Sequence, residues 1–338
     1  MKTKHLLTII IIASIVLLLG GGLFLVREQT ISISEPVRIH IPPGADYNAL
    51  TDSLDAHGCI PNHAAFHAIA RTRGLQKHVK PGSYLLQPHT HIIRVIQKLY
   101  SGNQDPVRIT INKHRTPEQL CQYLGTRLTL QPDSLLALMQ SEPTCTHYGE
   151  TPQTIIGLFL QNTYELYWTT SPTALLDRMK RESDYFWEKR SRQLEALGLT
   201  RQQVLTIASI VDEETNADDE KADIASVYLN RFRVGMPLQA DPTVKFAIGD
   251  FTIRRIKGDM LSYPSPYNTY LNAGLPPGPI CIPSVASIDA VLKNKKTDYF
   301  FFCAKEDFSG RHNFAATSAE HSANAQKFHK ALNNRNIH

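Results

Sequence analysis

The 338-residue chain lacks the signatures of several large functional classes. Its five cysteines, Cys59, Cys121, Cys145, Cys281 and Cys303, form no Cys-x-x-Cys pair and no zinc-like spacing, which argues against a structural metal. A Cys121–Cys145 bridge is conceivable outside the cytoplasm, although buried free thiols are the simpler expectation. There is no His-Glu-x-x-His, no P-loop and no dinucleotide fingerprint, so neither a metal nor another cofactor is expected. No long basic block points to nucleic acid. Internal repeats and low-complexity tracts are missing as well.

What is present is enough apolar residue, 42%, to build a real core and oppose wholesale disorder. A net charge of +5 suits an anionic polymer, but a solvated surface explains it equally well. Leu6 to Val26 carries no charge and is almost wholly apolar. A helix of about 20 residues, rising about 1.5 Å per residue, spans the bilayer core. Lys2 and Lys4 precede it, which places residues 1–5 in the cytoplasm and the rest of the chain outside. A cleaved signal peptide would have a shorter apolar run ending in a small-x-small site, whereas here Leu23 to Val26 follow the glycines. The reading is a single-pass inner-membrane protein with a periplasmic body.

The expected fold class is α+β. A linker, 27–36, precedes a strand at Val37–Ile41, helices at Tyr47–Ala56 and Ala64–Arg73, a strand at Gly82–Leu86 and an amphipathic helix at Thr90–Tyr100. This β-α-α-β order over 37–104 is that of small LysM-like glycan-binding modules, though many small α+β units share it. A middle segment, 105–199, holds a strand at Val107–Ile111, a helix opening at Thr116-Pro117 and a long helix from Ser171-Pro172 to near Gly198. Residues 200–338 form the last domain. Its helices span about Gln202–Thr215 and Asp219–Val234, and the second stops at Gly235. A loop rich in proline and glycine covers Pro264–Pro283. It is followed by a helix near Ser287–Lys293, strands at Tyr299–Ala304 and His312–Ala315, and a helix from about Ser318.

The most informative run is Val204 to Thr215. At about 100° per residue, Ile207, Ile210, Val211 and Glu214 fall on one stripe. Asp212 points to roughly the opposite side and Glu213 lies off the stripe's edge, so both read as solvated helix-end charges. Glu214 alone is aimed inward. Apolar neighbours disfavour the ionised carboxyl and raise its pKa, as a general acid near neutral pH requires. The competing reading is a buried glutamate paired with an arginine such as Arg231, serving only packing.

The runs IASIVDEET, IASVYLNRFRVGMPLQADPTVKFAIGD, SPYNTYLNAGLPPGPICIPS and HNFAATSAEH closely resemble the endolytic murein transglycosylase family, the MltG or YceG-like proteins. The resemblance is dense from about residue 200 to 330 and looser upstream, where VKPGSYLL matches the family's glycine-tyrosine strand. It implies that Glu214, the second acid of the family's V-E-K-E-T motif, is the catalytic residue. Asp212 is a conservative departure at the first acid. It also implies a lyase reaction within glycan strands. The β-1,4 bond from N-acetylmuramic acid to N-acetylglucosamine is cleaved to a 1,6-anhydro end, with one carboxyl acting as acid and then base. Partnership with the cell-wall synthesis machinery and release of growing strands follow from the same resemblance.

Asn230, Gln239, Tyr267, Asn268, Thr269 and Tyr270 match family motif positions and would line the sugar groove. Asn230 and Arg231 could equally be a helix surface held by local pairs. Asp241 is either an orienting acid or part of a turn or cap. His312 either bonds substrate or is an ordinary structural histidine. Gly274 to Gly278 reads as a rigid loop shaping the groove. Upstream, Gln161 and Asn162 stand where the family often has Pro and Asp, which weakens any role for an acid there. Three rivals remain: a hydrolytic muramidase, a non-catalytic peptidoglycan-binding scaffold, and an aminodeoxychorismate lyase. The last requires a cytosolic enzyme with a pyridoxal-binding lysine, and no clear lysine motif is evident.

Overall fold

The computed structural model of the chain describes residues 29–253 and 255–335. The expected anchor at residues 6–26 lies outside them. Among the described residues, no helix is long and apolar enough to cross a membrane.

The architecture is α+β. In chain order it comprises β1 (Val37–Ile41), α1 (Tyr47–Ala56), α2 (His63–Thr72), β2 (Gly82–Leu86), α3 (Ile92–Ser101), β3 (Val107–Ile111), α4 (Pro117–Gly125), α5 (Pro132–Gln140), α6 (Glu142–His147) and β4 (Asn162–Leu166). There follow α7 (Pro172–Glu188), α8 (Ser191–Leu197), α9 (Arg201–Glu214), α10 (Lys221–Arg233), α11 (Asp241–Ile248), α12 (Val285–Leu292), β5 (Phe301–Ala304), β6 (His312–Ala315) and α13 (Ser318–Asn334). The described strands pair two by two, β1 with β2, β3 with β4 and β5 with β6.

The described residues divide into two compact units, residues 29–108 with 165–170, and residues 109–164 with those from 171 to 335. In the first, β1 and β2 run antiparallel with Val37 opposite Leu86 and Ile41 opposite Gly82. Asp46 caps α1 by accepting from the Ala49 N–H, and Asn62 caps α2 by accepting from that of Ala65. Their apolar faces meet the sheet and the stripe Ile92, Val95, Ile96 and Leu99 of α3 in one core. The glycine-tyrosine strand is part of it: Tyr84 is fully buried, and its hydroxyl donates to the Lys80 carbonyl.

The second unit is built around α9. Thr200 and Gln203 form a capping box at its start, and every residue from Val204 to Asp212 is buried. Helices α10 and α12 pack along it. The antiparallel pair β5–β6 carries Phe301 opposite Ala315 and Ala304 opposite His312, with α13 laid on both strands. The elements depart from the sequence reading in three ways. The long helix after Ser171 breaks at Arg190, whose guanidinium pairs with Asp289 of α12. Asp241-Pro242, expected as a turn or cap, opens helix α11, with the proline in the first turn, where its missing N–H is harmless. Strand β4 and helices α5 and α6 have no counterpart in the sequence reading. The cysteines are unbridged, and all but Cys303 are buried.

Candidate active site

Glu214 ends α9 beside a cavity of about 380 Å³. The other walls come from α10 (Tyr228, Arg231), the turn before α11 (Leu238, Gln239), α11 itself (Asp241), Tyr270, β5 (Phe301, Phe302) and His321 of α13. Glu214 as a residue is partly exposed and lines this space, yet its carboxyl has no ion-pair partner among the described residues. Burial pushes its pKa from 4.5 up to about 7, and the Asp241 charge works in the same direction. A hydrogen bond from the Tyr228 hydroxyl to Oε1, 2.7 Å long, opposes the rise, as does the Lys245 charge. Near neutral pH the group therefore exchanges a proton readily, which suits general acid–base work.

The helix geometry that aims Glu214 does not isolate it as the stripe argument supposed. Asp212 is 5% exposed and Glu213 has a side chain only 14% exposed, so the expectation of solvated charges is corrected. Helix α9 is enclosed on all sides, and partners far away in sequence reach both acids. Asp212 accepts from the Ser284 and Ser287 hydroxyls, each at 2.5 Å, and pairs with Lys113 at 3.0 Å and Lys221 at 3.4 Å. Burial alone would raise its pKa, but these bonds outweigh it and hold the carboxyl below its ordinary value. Glu213 pairs with Arg115 at 2.8 Å and with Lys113 at 3.4 Å. Lys113 also donates to the Asp212 carbonyl at 2.7 Å, satisfying a backbone acceptor in the last turn. Two acids thus clamp the helix end, and the third, without a cation, meets the cavity.

The other residues singled out in the sequence divide sharply. Gln239, Asp241 and Tyr270 line the cavity with Glu214. Gln239 is exposed and holds a left-handed backbone, φ 51°, with its N–H given to the Thr269 carbonyl. The Tyr270 hydroxyl donates to Asp241 at 2.6 Å. The remainder hold the frame. Asn230 donates to the carbonyls of Thr297 and Tyr299, both at 2.9 Å, tying α10 to the approach to β5. Asn268, fully buried, donates to the Leu261 and Tyr263 carbonyls. Thr269 accepts from the Ala240 N–H and meets the Thr243 hydroxyl at 2.9 Å. The Tyr267 ring packs on Phe246, centroids 4.7 Å apart. His312 lies 3.3 Å from Glu220 and edges onto Phe302.

Arg231, the alternative partner for Glu214, instead donates to the carbonyls of Phe300 at 2.6 Å and Leu238 at 2.8 Å. Sequence reasoning missed Tyr228, Phe301, Phe302 and His321 as cavity residues. For Tyr228 a signal existed: Ile224, Tyr228 and Arg231 recur at i, i+4 and i+7 and so share a face of α10. His321 had its own mark as the last residue of the run HNFAATSAEH that resembles the family. No group of three or more metal-ligating side chains occurs among the described residues.

Residues 39–327 match the model of the YceG-like family. Among curated proteins, the chain is 30% identical over 337 residues to the endolytic murein transglycosylase of Bacillus subtilis strain 168, covering 94% of this chain and 92% of that protein. It is 25% identical over 328 residues to the protein of the same name from Streptococcus pneumoniae serotype 2, covering 88% of this chain but 59% of that one. Among solved structures, a YceG-like protein of Listeria monocytogenes is similar with a TM-score of 0.56 and 27% identity, over 86% of this chain and 99% of that one.

Proposed function

The chain belongs to the YceG-like family, and on that premise we propose that it is a membrane-anchored lytic transglycosylase that cuts peptidoglycan strands internally, with Glu214 as its acid and base. One observation carries the reading: a carboxyl held near pKa 7, without a cation partner among the described residues, facing a cavity walled by aromatic and hydrogen-bonding side chains. Aromatic faces suit the apolar faces of sugar rings, and the polar groups suit their hydroxyls. Protonated Glu214 donates to the glycosidic oxygen as the bond from muramic C1 breaks. The carboxylate so formed takes the proton of the C6 hydroxyl, whose oxygen closes on C1. Protons balance, water is not consumed, and the acid is regenerated for the next cycle. The Tyr228 hydroxyl supports the transient carboxylate through its hydrogen bond.

Residues 6–26 would hold the enzyme in the inner membrane, and the β-α-α-β module within 37–104 would serve as a LysM-like glycan-binding element. The substrate would be nascent strands near the synthesis machinery. A second reading, hydrolysis, draws on Asp241, a second carboxyl in the same cavity. An ordinary glycosidase places its two carboxyls about 5–5.5 Å or 6.5–9.5 Å apart. The test is digestion of purified glycan strands by the detergent-solubilised chain and by its Glu214→Gln form, followed by mass spectrometry. Anhydro ends from the native chain alone are expected. Ends one water heavier would establish hydrolysis instead. Strands left intact by a folded native chain would overturn the enzymatic reading in favour of a scaffold.

A further inference from the structure

The cavity beside Glu214 contains more hydrogen-bonding groups than the acid chemistry uses. The Tyr228 hydroxyl is committed to Glu214 and the Tyr270 hydroxyl to Asp241. Arg231 is tied to backbone carbonyls through Nε and Nη1. His321 differs. It lines the same cavity, yet its ring makes no hydrogen bond among the described residues, and its Nδ1 is sealed from solvent without a partner.

The position of the ring is set from two sides. His321 lies in the first turn of α13, where Thr317 and Glu320 form a capping box. The Glu320 carboxylate accepts from the Ala316 and Thr317 N–H groups at 3.0 and 3.3 Å. The ring also stacks on Phe301, with centroids 5.3 Å apart and planes 22° apart. Burial, and after it the Arg231 charge, holds the pKa below its ordinary value, so the ring is neutral near pH 7.

A neutral imidazole carries one N–H and one lone pair. A sealed N–H without an acceptor is rarer and more costly than a sealed lone pair. Nδ1 is the sealed atom, so it holds the lone pair and Nε2 carries the hydrogen. A rigid, neutral donor thus stands on a cavity wall that also presents Leu238, Phe301 and Phe302.

We propose that His321 is a substrate-binding residue whose Nε2–H donates to an acceptor oxygen, a hydroxyl or acetamido carbonyl, of an N-acetylated hexosamine held against Glu214. This rests on the glycan-cleaving reading of the cavity. A probe that reports binding without turnover separates the two. The chain carrying Glu214→Gln, in detergent, is titrated calorimetrically with a tetrasaccharide of alternating N-acetylglucosamine and N-acetylmuramic acid, alone and with a second change at His321. His321→Phe keeps the ring stack and removes the donor. His321→Gln returns an amide nitrogen near the Nε2 position, and His321→Asn returns one near Nδ1.

Loss of one neutral hydrogen bond predicts binding weakened about 2- to 12-fold in the Phe form. Gln should restore most of it and Asn should not. With Glu214 intact, the same series should raise KM with kcat largely kept. Affinity unchanged by Phe, or rescued as well by Asn as by Gln, overturns the proposal, and so does a tetrasaccharide that fails to bind at all. Binding with the expected series but no strand cleavage supports His321 while sinking the lyase reading. Imidazole nitrogen NMR on the unmutated chain gives a check independent of any variant's folding. It should show the Nε2–H tautomer, with the Nε2 signal moving on addition of the tetrasaccharide, and an Nδ1–H tautomer overturns the proposal.

Discussion

Replacing Glu214 with Gln should change stability as well as turnover, and the change in stability should depend on pH. The carboxyl ionises near 4.5 in the unfolded chain and near 7 in the folded one. Between these values the folded chain keeps a proton that the unfolded chain has released. The free energy of unfolding therefore falls as pH rises through that window. At about 1.4 kcal/mol per pH unit, the window is worth roughly 3 kcal/mol as an upper bound. Glutamine bears no titrating proton and still accepts from Tyr228. Near pH 4 the native and variant chains should melt together, because both side chains are neutral. By pH 8 the variant should be the more stable by up to about 3 kcal/mol, a shift of several degrees at roughly 2–4 °C per kcal/mol. Thermal melts at half-unit intervals from pH 4 to 8.5 measure the difference curve, in which titrating groups not coupled to Glu214 cancel. A difference that is flat with pH, or no added stability at pH 8, would refute the account of a carboxyl whose ionisation burial opposes. Turnover should fall by about 10²–10⁴-fold in the same variant.

In the native chain, kcat/KM should decline about tenfold per pH unit above pH 7, as the acid form of Glu214 is lost. Tyr228→Phe removes the bond that favours the carboxylate, so this alkaline limb should move up by roughly half to one pH unit for a bond worth about 1 kcal/mol; a limb that stays put would show that Tyr228 does not tune the acid. Asp212→Ala takes one of two anions from Lys113, which keeps Glu213, and from the nearly buried Lys221, which keeps Asp218, and it leaves the Ser284 and Ser287 hydroxyls without their acceptor; chemical denaturation should record a loss of about 1–3 kcal/mol. Gly278→Ala drives a Cβ into the Gln153 carbonyl and should cost about 1–3 kcal/mol by the same measurement, whereas an unchanged midpoint would mean that the Gly274–Gly278 loop is loosely packed.

Much of the framework is legible because its signals are local. Caps at Asp46, Asn62, Thr116, Ser171 and Thr200 sit within two residues of where the sequence places helix starts, and each accepts a backbone N–H three residues on. Glycine ends α3 and α8 in the left-handed conformation, at Gly102 and Gly198. Short elements with weak periodicity escape. Helix α6 has six residues, and β4 reads Asn-Thr-Tyr-Glu-Leu, whose alternation shows only once Tyr164 and Leu166 are known to be buried.

At the site, the sequence by itself selected Glu214 through its place on an apolar stripe, and of the residues named with the family resemblance Gln239, Asp241 and Tyr270 line the cavity with it, while the polar side chains of Tyr228 and His321 were missed. It could not establish why Asp212 and Glu213 are disqualified. Their partners Lys113, Arg115, Ser284 and Ser287 lie some 70 to 100 residues away, and only folding brings them within hydrogen-bond reach of the helix end. Nor could it separate the cavity residues from Asn230, Asn268 and Thr269, which occupy similar motif positions but turn their polar groups to neighbouring backbone or side chains. A helical stripe states which way a side chain points. Whether that direction holds a cation, a hydroxyl or open space depends on contacts between distant segments, and those exist only in the tertiary structure.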